Sequence, residues 1–200
     1  MVNLQGARKA LRAESARPAE GGERELLARI ERRDIEAFER LYRMYQPRLA
    51  RFLTHMLQRS QLVEEVLNDT MMVVWQSASN FRGDSKLSTW IFAIAYRKAL
   101  KARRCWPDPI EDDALQSRPS SAPGADQHVQ HQKLRDALIG AMARLSAEHR
   151  AVVDLTYFHD LGYREIAEIV GCPVDTVKTR MFHARRRLRQ ALPGELADWV

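Results

Sequence analysis

YREIAEIVGCPVDTVKTRMF, residues 163–182, is the stretch whose reading decides the fold. Small Ala167 stands where two helices must approach, Gly171 where a tight turn needs permissive backbone, and Val177 where a second helix is pinned on the first. Ile166 and Val170 supply the buried face of the first helix. Val177, Met181, Ala184 and Leu188 recur at spacings of four, three and four, which points them at a core. Thr176, Lys178, Thr179, Arg180, Phe182, His183, Arg186 and Arg187 are left for the other faces, with side chains suited to phosphates and base edges. Turn, core spacing and exposed basic helix agree on a helix-turn-helix. Thr179 and His183 lie near the middle of the second helix, where a major groove would be read, with further readout expected from Lys178 or Arg180 and from groove shape.

Upstream of this motif the pattern stays helical. Leu134, Leu138, Met142 and Leu145 form one apolar stripe, Ser146 suits a helix cap, and Val152, Val153, Leu155 and Phe158 form another stripe. Residues 106–126 collect prolines, serines, acids and a glycine, the composition of a flexible linker. Before the linker, Leu26, Leu27, Ile30, Phe38, Leu41, Tyr42, Tyr45, Leu49, Phe52, Leu53 and Met56 recur at three and four residues as a buried helix face does. Pro47 is expected to kink that helix or to begin a new one. Val63, Val66, Leu67, Thr70 and Val74 make an inward stripe that leaves Glu64, Glu65, Asn68, Asp69 and Met72 on other faces. A loop over 80–88 and a helix over 90–104 follow, and no segment alternates as a strand does.

The expected fold is therefore all-α: two small helical domains joined by a flexible linker. Boundaries fall at a tail (1–23), a first domain (24–104), the linker (105–131), the helix-turn-helix domain (132–192) and a C-terminal tail (193–200). Nothing in 24–104 reads as an α/β catalytic domain, so no catalytic residue and no enzyme activity are assigned.

The chain of 200 residues carries a formal net charge of +6, and that charge is unevenly spread. Residues 178–189 hold six Lys/Arg and no acid, while 106–126 hold five acids against Arg118 alone. This asymmetry favours an anionic partner such as nucleic acid. In FRGDSKLSTWIFAIAYRKALKARR, residues 81–104, aromatics lead into a cationic track. Proteins that hold unpaired bases combine stacking platforms with such tracks. No run is long and apolar enough for a membrane span and no signal-peptide core is visible, so a cytoplasmic location without membrane contact is expected. Cys105 and Cys172 fit no zinc spacing and read as reduced thiols, His128 and His131 have no further ligands nearby, and no metal or other cofactor is expected.

AFERLYRMYQPRL (37–49), VEEVLNDTMMVVW (63–75) and residues 81–104, then the linker and the helix-turn-helix half, stand in one order. In that order they resemble the extracytoplasmic-function (ECF) sigma factors of bacterial RNA polymerase, over about residues 24–192. The resemblance implies a sigma-2-like first domain and a sigma-4-like second domain. It places core polymerase on Glu65, Asn68, Asp69 and Met72, where an acidic helix face suits a basic partner. It places the minus-10 element on Phe81, Arg82, Ser85, Trp90, Arg97, Lys98, Lys101, Arg103 and Arg104, with one base of the single non-template strand flipped into the loop 81–88. Extruding a base costs a few kcal/mol and stacking on an aromatic returns about 1–3 kcal/mol. The minus-35 duplex falls to Thr176, Lys178, Thr179, Arg180, Phe182, His183, Arg186 and Arg187.

Arg97 stands where many members carry Asn, and His183 where an Arg often reads the minus-35 element. The resemblance further implies a stress or signal regulon and an anti-sigma partner, and lets Asp108, Glu111, Asp112 and Asp113 of the linker run through a cationic channel. The alternative is a conventional helix-turn-helix activator or repressor, which would bind duplex DNA tightly without polymerase.

Overall fold

The computed structural model describes residues 20–105 and 137–192, and all regular structure among them is helical. Among the described residues before 106 stand α1 (Glu20–Glu31), α2 (Ile35–Leu57), α3 (Ser60–Gln76) and α4 (Leu87–Cys105). A single 3₁₀ turn, Ala78–Asn80, lies between α3 and α4. Beyond it come helical residues 137–143 (α5), then α6 (Ala147–Tyr157), α7 (Tyr163–Val170) and α8 (Val174–Ala191). The calls on the N-terminal residues before 20, on most of the linker with its acids, on His128 and His131, on Leu134 and on the C-terminal tail lie outside the described residues.

Local chemistry explains the joints. Asp34 caps α2 by accepting hydrogen bonds from the Glu36 and Ala37 N–H groups at 3.0 and 3.1 Å, and Arg29 Nε donates to the same carboxylate at 2.7 Å. These contacts hold the Asp34 carboxyl below its usual range. Ser146 caps α6 through the His149 N–H, as its sequence position suggests. Gly171 sits at φ 68° at the end of α7, and its N–H returns to the Ala167 carbonyl at 2.9 Å, so the sharp turn uses a conformation that glycine adopts without a Cβ clash.

Three sequence expectations are revised. α2 runs unbroken through Pro47. A proline forfeits one helical hydrogen bond, and the fully buried Tyr45, Leu49, Phe52 and Leu53 around it keep the helix in place. α1 begins inside the stretch read as tail, because Glu23 is buried and accepts the Tyr45 hydroxyl at 2.8 Å. In α7 the buried partner of Ile166 is Ile169, and Val170 is only half-buried.

The buried faces are those the periodicity marks: Leu41, Tyr45, Leu49, Phe52, Leu53 and Met56 on α2, and Val177, Met181, Ala184 and Leu188 on α8. Each large apolar side chain so buried contributes about 1.5–3 kcal/mol before entropy is counted. The two halves do not stand apart. Their buried side chains form one continuous core, in which α4 packs on α7 and α2 on α6.

Candidate polymerase and nucleic-acid interface

On α3, Glu65, Asn68, Asp69 and Met72 lie at helical spacing on one exposed face, opposite the buried Val66, Leu67, Thr70, Met71 and Val74. Met72 is 50 % exposed, which is unusual for so apolar a side chain. Two neighbours orient this face: the Tyr42 hydroxyl donates to Asn68 Oδ1 at 2.9 Å, and Lys98 Nζ lies 2.9 Å from Asp69 Oδ2. The arrangement presents fixed acceptors around an apolar contact, suited to a partner surface that is basic at its rim.

The segment 81–104 divides into groups. Phe81 and Trp90 pack with ring centroids 5.4 Å apart and both remain partly exposed, a platform with a free aromatic surface. Arg82, Arg97, Lys101 and Arg104 are exposed, and Ser85 is half-buried in the loop before α4. Lys98 is shared with Asp69, and Arg103 donates to the Met56 carbonyl at 3.1 Å, which closes the C-terminal end of α2. Arg103 therefore combines any phosphate contact with a structural one.

The outer face of α8 carries Thr179, Phe182, His183 and Arg186 as one stripe, and Phe182 is 65 % exposed. Thr179 Oγ1 donates to the Asp175 carbonyl and Lys178 Nζ to the Asp175 carboxylate at 2.9 Å, a contact that lowers the Asp175 pKa. Arg187 is exposed and Thr176 half-buried. Arg180 departs from the stripe, because its guanidinium lies against Cys172 Sγ at 3.7 Å. His149 of α6 packs 6.4 Å from the His183 ring, and burial together with Arg187 and Arg180 holds its imidazole below the ordinary 6.5.

Both cysteines are free. Cys105 is exposed at the end of α4 and Cys172 half-buried in the turn, so neither is a buried core thiol.

Sequence reasoning passed over a set of buried charged groups. Arg150, 2 % exposed, donates to the Met142, Ala143 and Leu145 carbonyls of its own half at 3.0, 2.7 and 2.8 Å. It also reaches the His55 and Met56 carbonyls of the first half at 3.2 and 3.4 Å. Fully buried Asp154 takes a close hydrogen bond from His55 Nδ1, and His159 Nε2 lies 3.1 Å from its other oxygen. Burial alone would raise the Asp154 carboxyl; the imidazoles of His159 and His55 outweigh it and hold the group below the usual carboxylate range. Burial lowers His159, against the opposing pull of Asp154. The signal was present in the sequence, since Asp154 interrupts the apolar run VVDL and His159 closes it.

Residues 41–105 match the family profile described as Sigma-70 region 2, and residues 135–188 that described as Sigma-70, region 4. Over 160 residues the chain is 34% identical to the ECF RNA polymerase sigma factor RpoE of Cereibacter sphaeroides, covering 79% of this chain and 87% of that protein. The chain belongs to the ECF sigma factors of bacterial RNA polymerase. As such it is an initiation factor and not an enzyme. The fold of this sigma factor is shared by CnrH in complex with the cytosolic domain of CnrY, with a TM-score of 0.63 at 20% identity over 84% of this chain and 96% of that one. It is shared also by RpoE of Bartonella quintana in complex with the anti-sigma factor NepR, with a TM-score of 0.59 at 24% identity over 77% and 95% of the two chains. No helix among the described residues is long and apolar enough to cross a membrane.

Proposed function

We propose that this chain acts in the cytoplasm as an alternative sigma factor, which docks on core RNA polymerase, recognises minus-35 and minus-10 promoter elements and opens the latter. The observation that carries the reading is the presence, in one chain and in order, of the two sigma-70 regions with an exposed face on each of three helices. In this reading 24–104 is the polymerase and minus-10 unit, with Glu65, Asn68, Asp69 and Met72 against the polymerase. Phe81 and Trp90 offer the stacking platform for the unpaired strand, while Arg82, Ser85, Arg97, Lys98, Lys101, Arg103 and Arg104 follow its backbone. Residues 132–192 are the minus-35 unit, with the exposed stripe of α8 in the major groove. Binding energy alone drives strand opening, so no cofactor is invoked.

An anti-sigma factor is the proposed regulatory partner, supported by the Bartonella quintana relative having been solved with one. The test is reconstituted transcription with core polymerase on a genomic fragment library, followed by mapping of start sites. Starts sharing two upstream elements are expected. Initiation nowhere, together with tight duplex binding by the chain alone, would instead indicate a conventional regulator.

A further inference from the structure

We propose that His149 of α6, outside the helix-turn-helix, is a positioning residue for minus-35 recognition: its ring packs on His183 and fixes the imidazole that reads a base edge. The inference rests on the assignment of the outer face of α8 to the minus-35 duplex.

His183 differs from the other polar residues expected to read base edges. Thr179 Oγ1 donates to the Asp175 carbonyl at 3.0 Å and Lys178 Nζ to the Asp175 carboxylate at 2.9 Å, both within α8. The Arg180 guanidinium lies against Cys172 Sγ at 3.7 Å. Each of these exchanges a protein contact for any DNA contact. Half-buried His183 instead meets two rings nearly at right angles: Phe182 with centroids 5.5 Å apart at 71°, and His149 with centroids 6.4 Å apart at 81°. Edge-to-face pairs at such separations attract each other and favour one relative orientation. A side chain ordered before binding loses less freedom when it meets its target.

Of the two neighbours, His149 is the one held in place. Phe182 is itself 65 % exposed. His149 Nδ1 lies 2.6 Å from Ser146 Oγ, and Ser146 is the cap of α6, whose Oγ also accepts the His149 N–H. The ring is thereby tied to the end of a helix that packs on α8. Burial, then Arg187 and Arg180, hold the imidazole below the ordinary 6.5 against the pull of Glu148. At neutral pH the ring is therefore uncharged, and the cationic contacts of the stripe are left to the exposed Arg186 and Arg187. The buried faces of the two helices are made by other residues, Val153 and Leu155 on α6 and Met181, Ala184 and Leu188 on α8. The pair of half-buried imidazoles thus lies at the rim of that core, beside the stripe.

The test uses holoenzyme reconstituted from core polymerase and the full chain, with a promoter duplex from a mapped start site whose minus-35 element is randomised. Sequencing the bound fraction gives the base preference at each position. His183→Ala should flatten the preference at one position. His149→Ala should weaken preference at that same position about two- to tenfold, the equivalent of one aromatic pair, and leave the others as they are. His149→Phe, which keeps a ring beside His183, should stay close to wild type. Adding H149A to H183A should change nothing further, because residues acting through one contact are not additive.

An H149A profile equal to wild type overturns the proposal, and so does a loss spread evenly over all positions, which is what a general weakening of the fold produces. Equal loss in H149A and H149F overturns it too, since the ring is then not the cause. Should melting curves show H149A partly unfolded, His149→Gln, with a polar side chain but no ring, takes its place under the same outcomes. If H183A leaves every position unchanged, the minus-35 assignment of His183 falls, and the inference with it. An altered H183A profile beside an unaltered H149A profile sinks the inference alone.

Discussion

The loop and helix at 81–104 and the outer face of α8 are both rich in cations and aromatics, yet they stand in different situations. The stripe on α8 is a single helical face, with its apolar side buried and its outer side open to solvent. The segment 81–104 is a composite: Arg103 closes α2, Lys98 is shared with α3, Lys86 meets Glu165, and Tyr96 is 4 % exposed. A surface made of one helix is available as soon as that helix folds. A surface made of several elements can be covered by moving one of them.

The largest expected effect comes from removing what ties the halves together. Arg150→Ala strands several buried carbonyls in both halves and should cost about 3 kcal/mol or more, each buried group left unsatisfied costing about 1–3 kcal/mol. Urea unfolding would measure it. A cost below about 1 kcal/mol, the worth of an ordinary hydrogen bond, would mean that the halves barely depend on each other and would dissolve the contrast.

Next comes the open surface. Phe182→Ala and Thr179→Ala should weaken recognition at the upstream element by about 1–3 kcal/mol, the scale of one good base contact, with thermal stability unchanged because neither side chain is buried. Start-site profiles and melting curves together check it. A large fall in melting temperature would show that α8's outer face is structural after all.

Asp69→Lys reverses the charge that Lys98 faces and should lower affinity for core polymerase by about 1 kcal/mol or more, since like charges placed across an interface repel. Competition for core polymerase with an unaltered copy reads this out.

Acid should act on the buried contact between the halves in a direction that can be worked out. His159 is held neutral below the ordinary 6.5, so the unfolded chain takes up a proton there that the folded chain refuses. Stability contributed by that group is present above 6.5 and is lost as pH falls through that value towards the folded pKa. Asp154, held below its ordinary 3.8, adds a loss of the same sign at lower pH, as its carboxylate is protonated. Arg48 and Arg51 face His159 and push it the same way as burial does. Melting temperature should drop between about pH 7.5 and 5.5, and a flat profile there would show that His159 does not contribute to stability through its protonation.

The smallest effect is expected from exposed Lys101. Lys101→Ala should weaken all promoters alike and reduce the salt slope by about 1, as loss of one phosphate contact does.

Much of this was legible in residue order. The four positions Val177, Met181, Ala184 and Leu188 were readable as buried because a helix repeats every 3.6 residues and apolar groups leave water. The exposure of Glu65, Asn68, Asp69 and Met72 followed from the same period read in reverse. Pro47 misled, since its penalty is local and the core around α2 outweighs it. Val170 and Ile169 are neighbours on one short helix, and their order of burial depends on what packs there. The contacts of Arg150 and Asp154 with His55 and Met56 stayed hidden because those partners lie more than ninety positions away along the chain.

The sequence by itself determined the helices, their buried faces, the helix-turn-helix and the family, because periodicity, caps and turn residues act within a few positions. Only the tertiary structure decided which cations are already engaged, which acids sit beside the loop 81–88, and that one core runs through both halves. Those facts depend on distances between residues nearly one hundred positions apart, as between His55 and Asp154, and local pattern carries no record of them.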